Sequence, residues 1–73
     1  MKKAERIQLY LRRAEKAEDR AAECERRAVE VEGTDRRAKI RRGVLLSHAR
    51  SHRRATRIWR WRAEMLSQEV HDE

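Results

Sequence analysis

The sequence predicts an all-α protein, an antiparallel helical hairpin of coiled-coil type. Three observations lead there. The chain has no proline and only two glycines in 73 residues, so little interrupts a helix. Apolar residues recur at helical spacing in both halves. A glycine separates those halves where a reversal is required. Charged residues make up 45% of the chain, a share compatible with disorder. The regular apolar period favours packed helices instead.

The first helix is expected over about residues 3–32. With Ile7 at heptad position a, the a sites are Ile7, Ala14, Ala21 and Ala28, and the d sites are Tyr10, Ala17, Cys24 and Val31. Such a run of apolar or weakly polar residues marks a packed seam. Four of these eight sites are alanine, which lets a partner helix come close. Arginines Arg6, Arg13, Arg20 and Arg27 occupy g, while Glu18, Glu25 and Glu32 occupy e.

The seam ends at Glu32-Gly33-Thr34-Asp35. Glycine past a helix end tolerates a left-handed backbone, and Thr34 or Asp35 can accept the free amides that open a second helix. One continuous helix is the alternative, since an interior glycine costs only about 1 kcal/mol.

The second helix is expected over about residues 35–70, with the turn at 33–34. Its stripe is Ala38, Arg42, Leu45, Ala49, His52, Thr56, Trp59, Ala63, Leu66 and Val70. Reversal at Gly33-Thr34 makes residues face each other where their numbers add to 66. Ala28 then meets Ala38, Ala17 meets Ala49, and Ile7 meets Trp59. Arg42 opposite Cys24 and His52 opposite Ala14 depart from an apolar seam. A second strip, Ile40, Val44, Ala55, Ile58 and Met65 with Ser47 and Ser51 between, needs another cover. A second copy would supply it, making a four-helix bundle from two hairpins. A bent hairpin with a wide core face is the simpler alternative. A parallel homodimer of first helices is the rival, because g arginines and e glutamates would attract across it.

Length allows a single domain with a limited core. Cys24 is the lone cysteine, so no disulfide forms within the chain, which suits a reducing cytoplasm. The longest aliphatic run, Val44-Leu45-Leu46, is too short to span a membrane or to form a signal peptide core.

The net charge of +7 is unevenly placed. Residues 1–35 carry nine bases and nine acids, residues 36–63 carry eleven bases and no acid, and residues 64–73 carry four acids and no base. The stretch HARSHRRATRIWRWR at 48–62 is the densest part. At about 100° per residue, Arg36, Lys39, Arg42, Arg50, Arg53, Arg54, Arg57 and Arg60 fall within about 120° of arc. Like charges at spacings of three and four repel, so helix stability gives no reason for this ridge. A phosphate backbone does, because each guanidinium can form paired bonds to phosphate oxygens. Trp61 shares the arc and can stack on an unpaired base. Partial burial in an oligomer is the plainer role for Trp61, and core filling the expected role for Trp59. Three other uses of the ridge remain: docking on an acidic protein as an adaptor or inhibitor, lying on an anionic membrane, or serving as a solvated face. The first helix already offers the apolar surface a partner, which weighs against a membrane.

Catalysis is not expected. No phosphate-cradling glycine loop and no nucleophile–base–acid set appears. His48 and His52 stand at i, i+4, near Asp19 and Glu15 in the hairpin register, but two histidines make a poor metal site and ion pairs explain the same spacing. Cys24 reads as a small core thiol. No cofactor is called for.

The segment Asp35-Arg-Arg-Ala-Lys-Ile-Arg-Arg-Gly-Val-Leu-Leu46 resembles one in small accessory proteins of plasmid mobilisation and conjugation, the relaxosome proteins. There a coiled coil is followed by Asp, a basic cluster and an aliphatic run, matched here by Asp35, Arg36, Lys39, Arg41, Arg42, Val44, Leu45 and Leu46. Ser47 stands where that family usually has glycine. The resemblance implies a relaxase partner at a transfer origin, with the basic residues on DNA.

Overall fold

Alanine, glutamate and arginine dominate the first half, and all three favour helix. In the computed structural model, which describes residues 1–69, they form α1 over Lys3–Glu30. Glu5 in the first turn and Arg27 in the last complement the helix dipole. The helix stops at Val31, whose backbone is extended while its N–H still reaches Ala28 O at 3.4 Å. Gly33 follows with φ of +97°, the left-handed conformation that glycine alone adopts without strain. Asp35 then opens α2, Arg36–Gln68, by accepting from the Ala38 N–H at 3.3 Å. The reversal therefore takes the five residues 31–35 rather than two, and each helix is shorter at that end than the heptad reading implies. Val70, and with it the expected end of the second helix, lies outside the described residues.

The two helices pack antiparallel into a rod of 59 × 14 × 13 Å. All eight α1 seam residues withdraw from solvent: Ala14, Ala17, Ala21 and Ala28 are buried, and Ile7, Tyr10, Cys24 and Val31 half-buried. On α2 the buried set is Ala38, Ala49, Thr56 and Ala63, with Arg42, Leu45, His52, Trp59 and Leu66 half-buried between them. The face that a parallel dimer of first helices needs is thus taken by α2.

The axial register differs from simple facing about Gly33. Thr56 Oγ1 lies 3.4 Å from Ala14 O, and the Tyr10 and Trp59 rings are 5.4 Å apart, so partners have numbers adding to about 70. Trp59 therefore meets Tyr10 rather than Ile7. Cα–Cβ bonds tilt toward the N-terminus of each helix. In an antiparallel pair this moves α1 side chains away from the turn and α2 side chains toward it. A residue of α1 consequently meets one further along α2 than backbone height alone suggests.

Among the described residues the buried set consists of seven alanines and Thr56. Close approach follows, but each methyl contributes only about 0.8 kcal/mol. The Thr56 hydroxyl is satisfied, donating to His52 O at 3.0 Å or Ala14 O at 3.4 Å. The second pairing joins the helices at mid-seam, where a donor without an acceptor would be costly.

Candidate nucleic-acid interface

Because α2 runs unbroken from Arg36 to Gln68, the ridge of cations expected from the helical wheel exists as one edge of the rod. It borders the seam on one side. Arg36, Lys39, Arg50, Arg54, Arg57 and Arg60 are exposed, as is Trp61 at 59%. Arg42 and Arg53 are half-buried, and both are engaged within the fold. Arg42 donates from Nη2 to Gly33 O, tying α2 to the turn. This resolves its place in the seam: a cation there is tolerated because it satisfies a turn carbonyl. Arg53 donates to Glu18 through Nη1 and to Glu25 through Nη2, bridging the helices. The Glu25 bond first, then the Glu18 bond, pushes the Arg53 pKa above its ordinary value. The structure therefore takes Arg53 out of the free set and gives it a place among the packing contacts.

The six remaining cations form no ion pair with an acid among the described residues. On α1 the pattern is different. Arg26 pairs with Glu23 and Glu30, and Arg27 with Glu23, all within one or two turns. The first turn of α2 contains no acid, so Arg36, Arg37 and Lys39 sit at the positive end of the helix dipole. Both neighbours and dipole oppose that placement. The free set falls into two groups, Arg36 with Lys39 and Arg50 through Arg60, separated by about 16 Å of helix. Gly43 and Leu46 occupy the ridge between them. A Cβ on Gly43 would meet nothing within 4 Å, so this stretch is bare, open backbone.

The apolar strip of α2 is left uncovered. Ile40 is 56% exposed, Val44 47%, Ile58 44% and Met65 41%. Arg37, Ile40, Arg41, Val44, Leu45 and His48 line a shallow, mainly apolar groove on this side. Among the described residues no three His, Cys, Asp or Glu side chains gather to hold a metal, and no helix is long and apolar enough to cross a membrane.

A second group of cations, absent from the wheel analysis, gathers at the open end of the hairpin. Arg13 from α1 and Arg62 from α2 lie over the Trp59 ring, at 4.8 and 4.9 Å from its centroid. Arg6 and Arg62 line one cleft with Tyr10 and Trp61. The antiparallel pairing places Arg6 near Arg62, where like charges repel, and a wheel drawn for α2 alone shows neither Arg6 nor Arg13. No family model matches this chain, and neither a curated protein nor a solved structure does.

Proposed function

We propose that this protein binds nucleic acid through phosphate contacts along α2, largely without regard to sequence. One observation carries the reading: six exposed cations share an edge of one helix and form no ion pair with an acid among the described residues. Their position raises the energy of the isolated hairpin, and a polyanion reverses that cost. Arginine-rich surfaces of this kind position a protein on the backbone, whereas reading base edges needs a wider range of polar side chains than the ridge offers. The resemblance of Asp35–Leu46 to mobilisation accessory proteins makes DNA the preferred polyanion.

The hairpin acts as a dimer in this reading. The exposed strip suits its own copy under a two-fold axis at Ser51. With the α2 helices antiparallel, Val44 would meet the partner's Ile58, and Ser47 the partner's Ala55. Small residues at the centre permit close approach, with larger ones filling the ends. Such an axis stands perpendicular to both helices, so the two ridges emerge on the same side and form one broad cationic surface.

A gel-shift series with duplex DNA, single-stranded DNA and hairpin RNA across salt concentrations tests the proposal. Binding to unrelated sequences that weakens steeply with salt is expected, as is its loss on reversing Arg50, Arg54 and Arg57 to glutamate while helicity is retained. A salt-insensitive one-to-one complex with a single acidic protein, and no nucleic-acid shift, would instead make the chain an adaptor.

A further inference from the structure

The open end of the hairpin carries an aromatic and arginine cluster that the phosphate ridge does not use. Trp59 and Tyr10 pack at 5.4 Å with their planes 33° apart, and Arg13 and Arg62 both stack on Trp59. A cation over an aromatic ring is held by its charge, a contact that does not consume its N–H donors. Neither arginine has a carboxylate partner among the described residues. Beside them, Arg6, Tyr10, Trp61 and Arg62 line an open cleft of about 200 Å³ together with Met65, Leu66 and the acid Glu69. Trp61 is 59% exposed, far more than Trp59, and among the described residues no ring or cation lies over it.

We infer that this cleft takes one unpaired nucleotide of a single strand. Its base stacks on Trp61 beside Tyr10, and its phosphates lie on the N–H edges of Arg62 and Arg6, with Arg13 on the adjoining phosphate. The inference rests on the nucleic-acid reading and narrows it to strands that expose a free base. A duplex hides its base faces in the stack, so the ridge can hold it but the cleft cannot. The cleft is too small to enclose a drug-sized molecule, yet it is open along one side, as a site that admits one base of a continuing strand must be. Both helices are needed to build it: α1 supplies Arg6 and Tyr10, and α2 supplies Trp61 and Arg62, with Arg13 and Trp59 packed behind Tyr10 and Arg62.

Intrinsic tryptophan fluorescence of the full chain, titrated with oligothymidylate and with a duplex of equal length at one salt concentration, tests this. Oligothymidylate should quench the emission and the duplex should leave it nearly unchanged. Trp61→Leu, at an exposed position, should weaken oligothymidylate binding about tenfold and leave duplex binding as it was. Arg6→Gln, which spares both tryptophans, should weaken the single strand selectively as well. Equal quenching by both ligands overturns the inference, as do variants that leave the single strand unaffected or weaken both ligands alike. In those cases the ridge reading stands, provided both ligands bind in a salt-dependent way. Absence of any binding at low salt overturns both readings.

Discussion

Replacing Arg50, Arg54 and Arg57 by glutamine removes half of the free ridge while leaving every seam residue in place. These side chains are exposed and make no ion pair with an acid among the described residues, so helicity and thermal stability should hold or rise slightly as repulsion is relieved. The effect on binding follows from counterion release. Each neutralised phosphate of duplex DNA adds about −0.9 to the slope of log affinity against log salt, so six contacts give about −5 and three give about −3. Between 50 and 200 mM salt the parent should then lose roughly a thousandfold in affinity and the variant only about sixtyfold. Fluorescence anisotropy of a labelled duplex at four or five salt concentrations measures both slopes. Arg53→Gln is the internal control. Its guanidinium is held by Glu18 and Glu25, so this change should lower the melting temperature without altering the slope. The reasoning is refuted if the triple variant keeps the parental slope with its helicity intact. It fails equally if Arg53→Gln reduces the slope as far as the triple variant does.

Four further outcomes follow from single positions. Gly43→Ala should stabilise the hairpin by roughly 0.5–1 kcal/mol, because a methyl there meets open space and glycine is a poor helix former; a lower melting temperature by circular dichroism would contradict this. Gly33→Ala should cost about 1–2 kcal/mol, since alanine must adopt φ near +97° with its Cβ 3.3 Å from Asp35 Oδ1; urea denaturation reads the loss. Ala21→Leu should cost roughly 1–3 kcal/mol in the same assay, as Ala21 is 0% exposed between the closely set helices. Sedimentation velocity should show self-association in the parent that Ile58→Asp abolishes without loss of helicity, and a monomeric parent at all concentrations would remove the dimer.

The seam was legible because helical periodicity is a local property. A wheel drawn from Ile7 through Val31 identifies which face of α1 is apolar without reference to anything else, and the same holds for Ala38 through Leu66. Gly33 and Asp35 could be assigned to the turn for the same reason, since a left-handed glycine and a capping carboxylate act within a few residues. The clustering of eight cations within one arc is likewise fixed by spacing along α2. The exposed half of the strip around Val44 and Ile58 was predictable too, because one neighbouring helix cannot cover two faces.

What each of those cations touches was not legible. Arg42 stands on both the seam stripe and the ridge and Arg53 looks like its neighbours on the wheel, yet the first reaches Gly33 O and the second Glu18 and Glu25. Their difference comes from lying on the edge of the arc nearest α1, at heights where acceptors stand across the seam. Those heights depend on the axial shift between the helices, which a five-residue reversal and the tilt of Cα–Cβ bonds set together. The same shift brings Trp59 to Tyr10 and places Arg13 over its ring. Sequence alone therefore determined the faces of the two helices, since a face depends only on spacing within one helix. The tertiary structure decided which cations stay free and which aromatic rings meet, since those depend on how far one helix slides along the other.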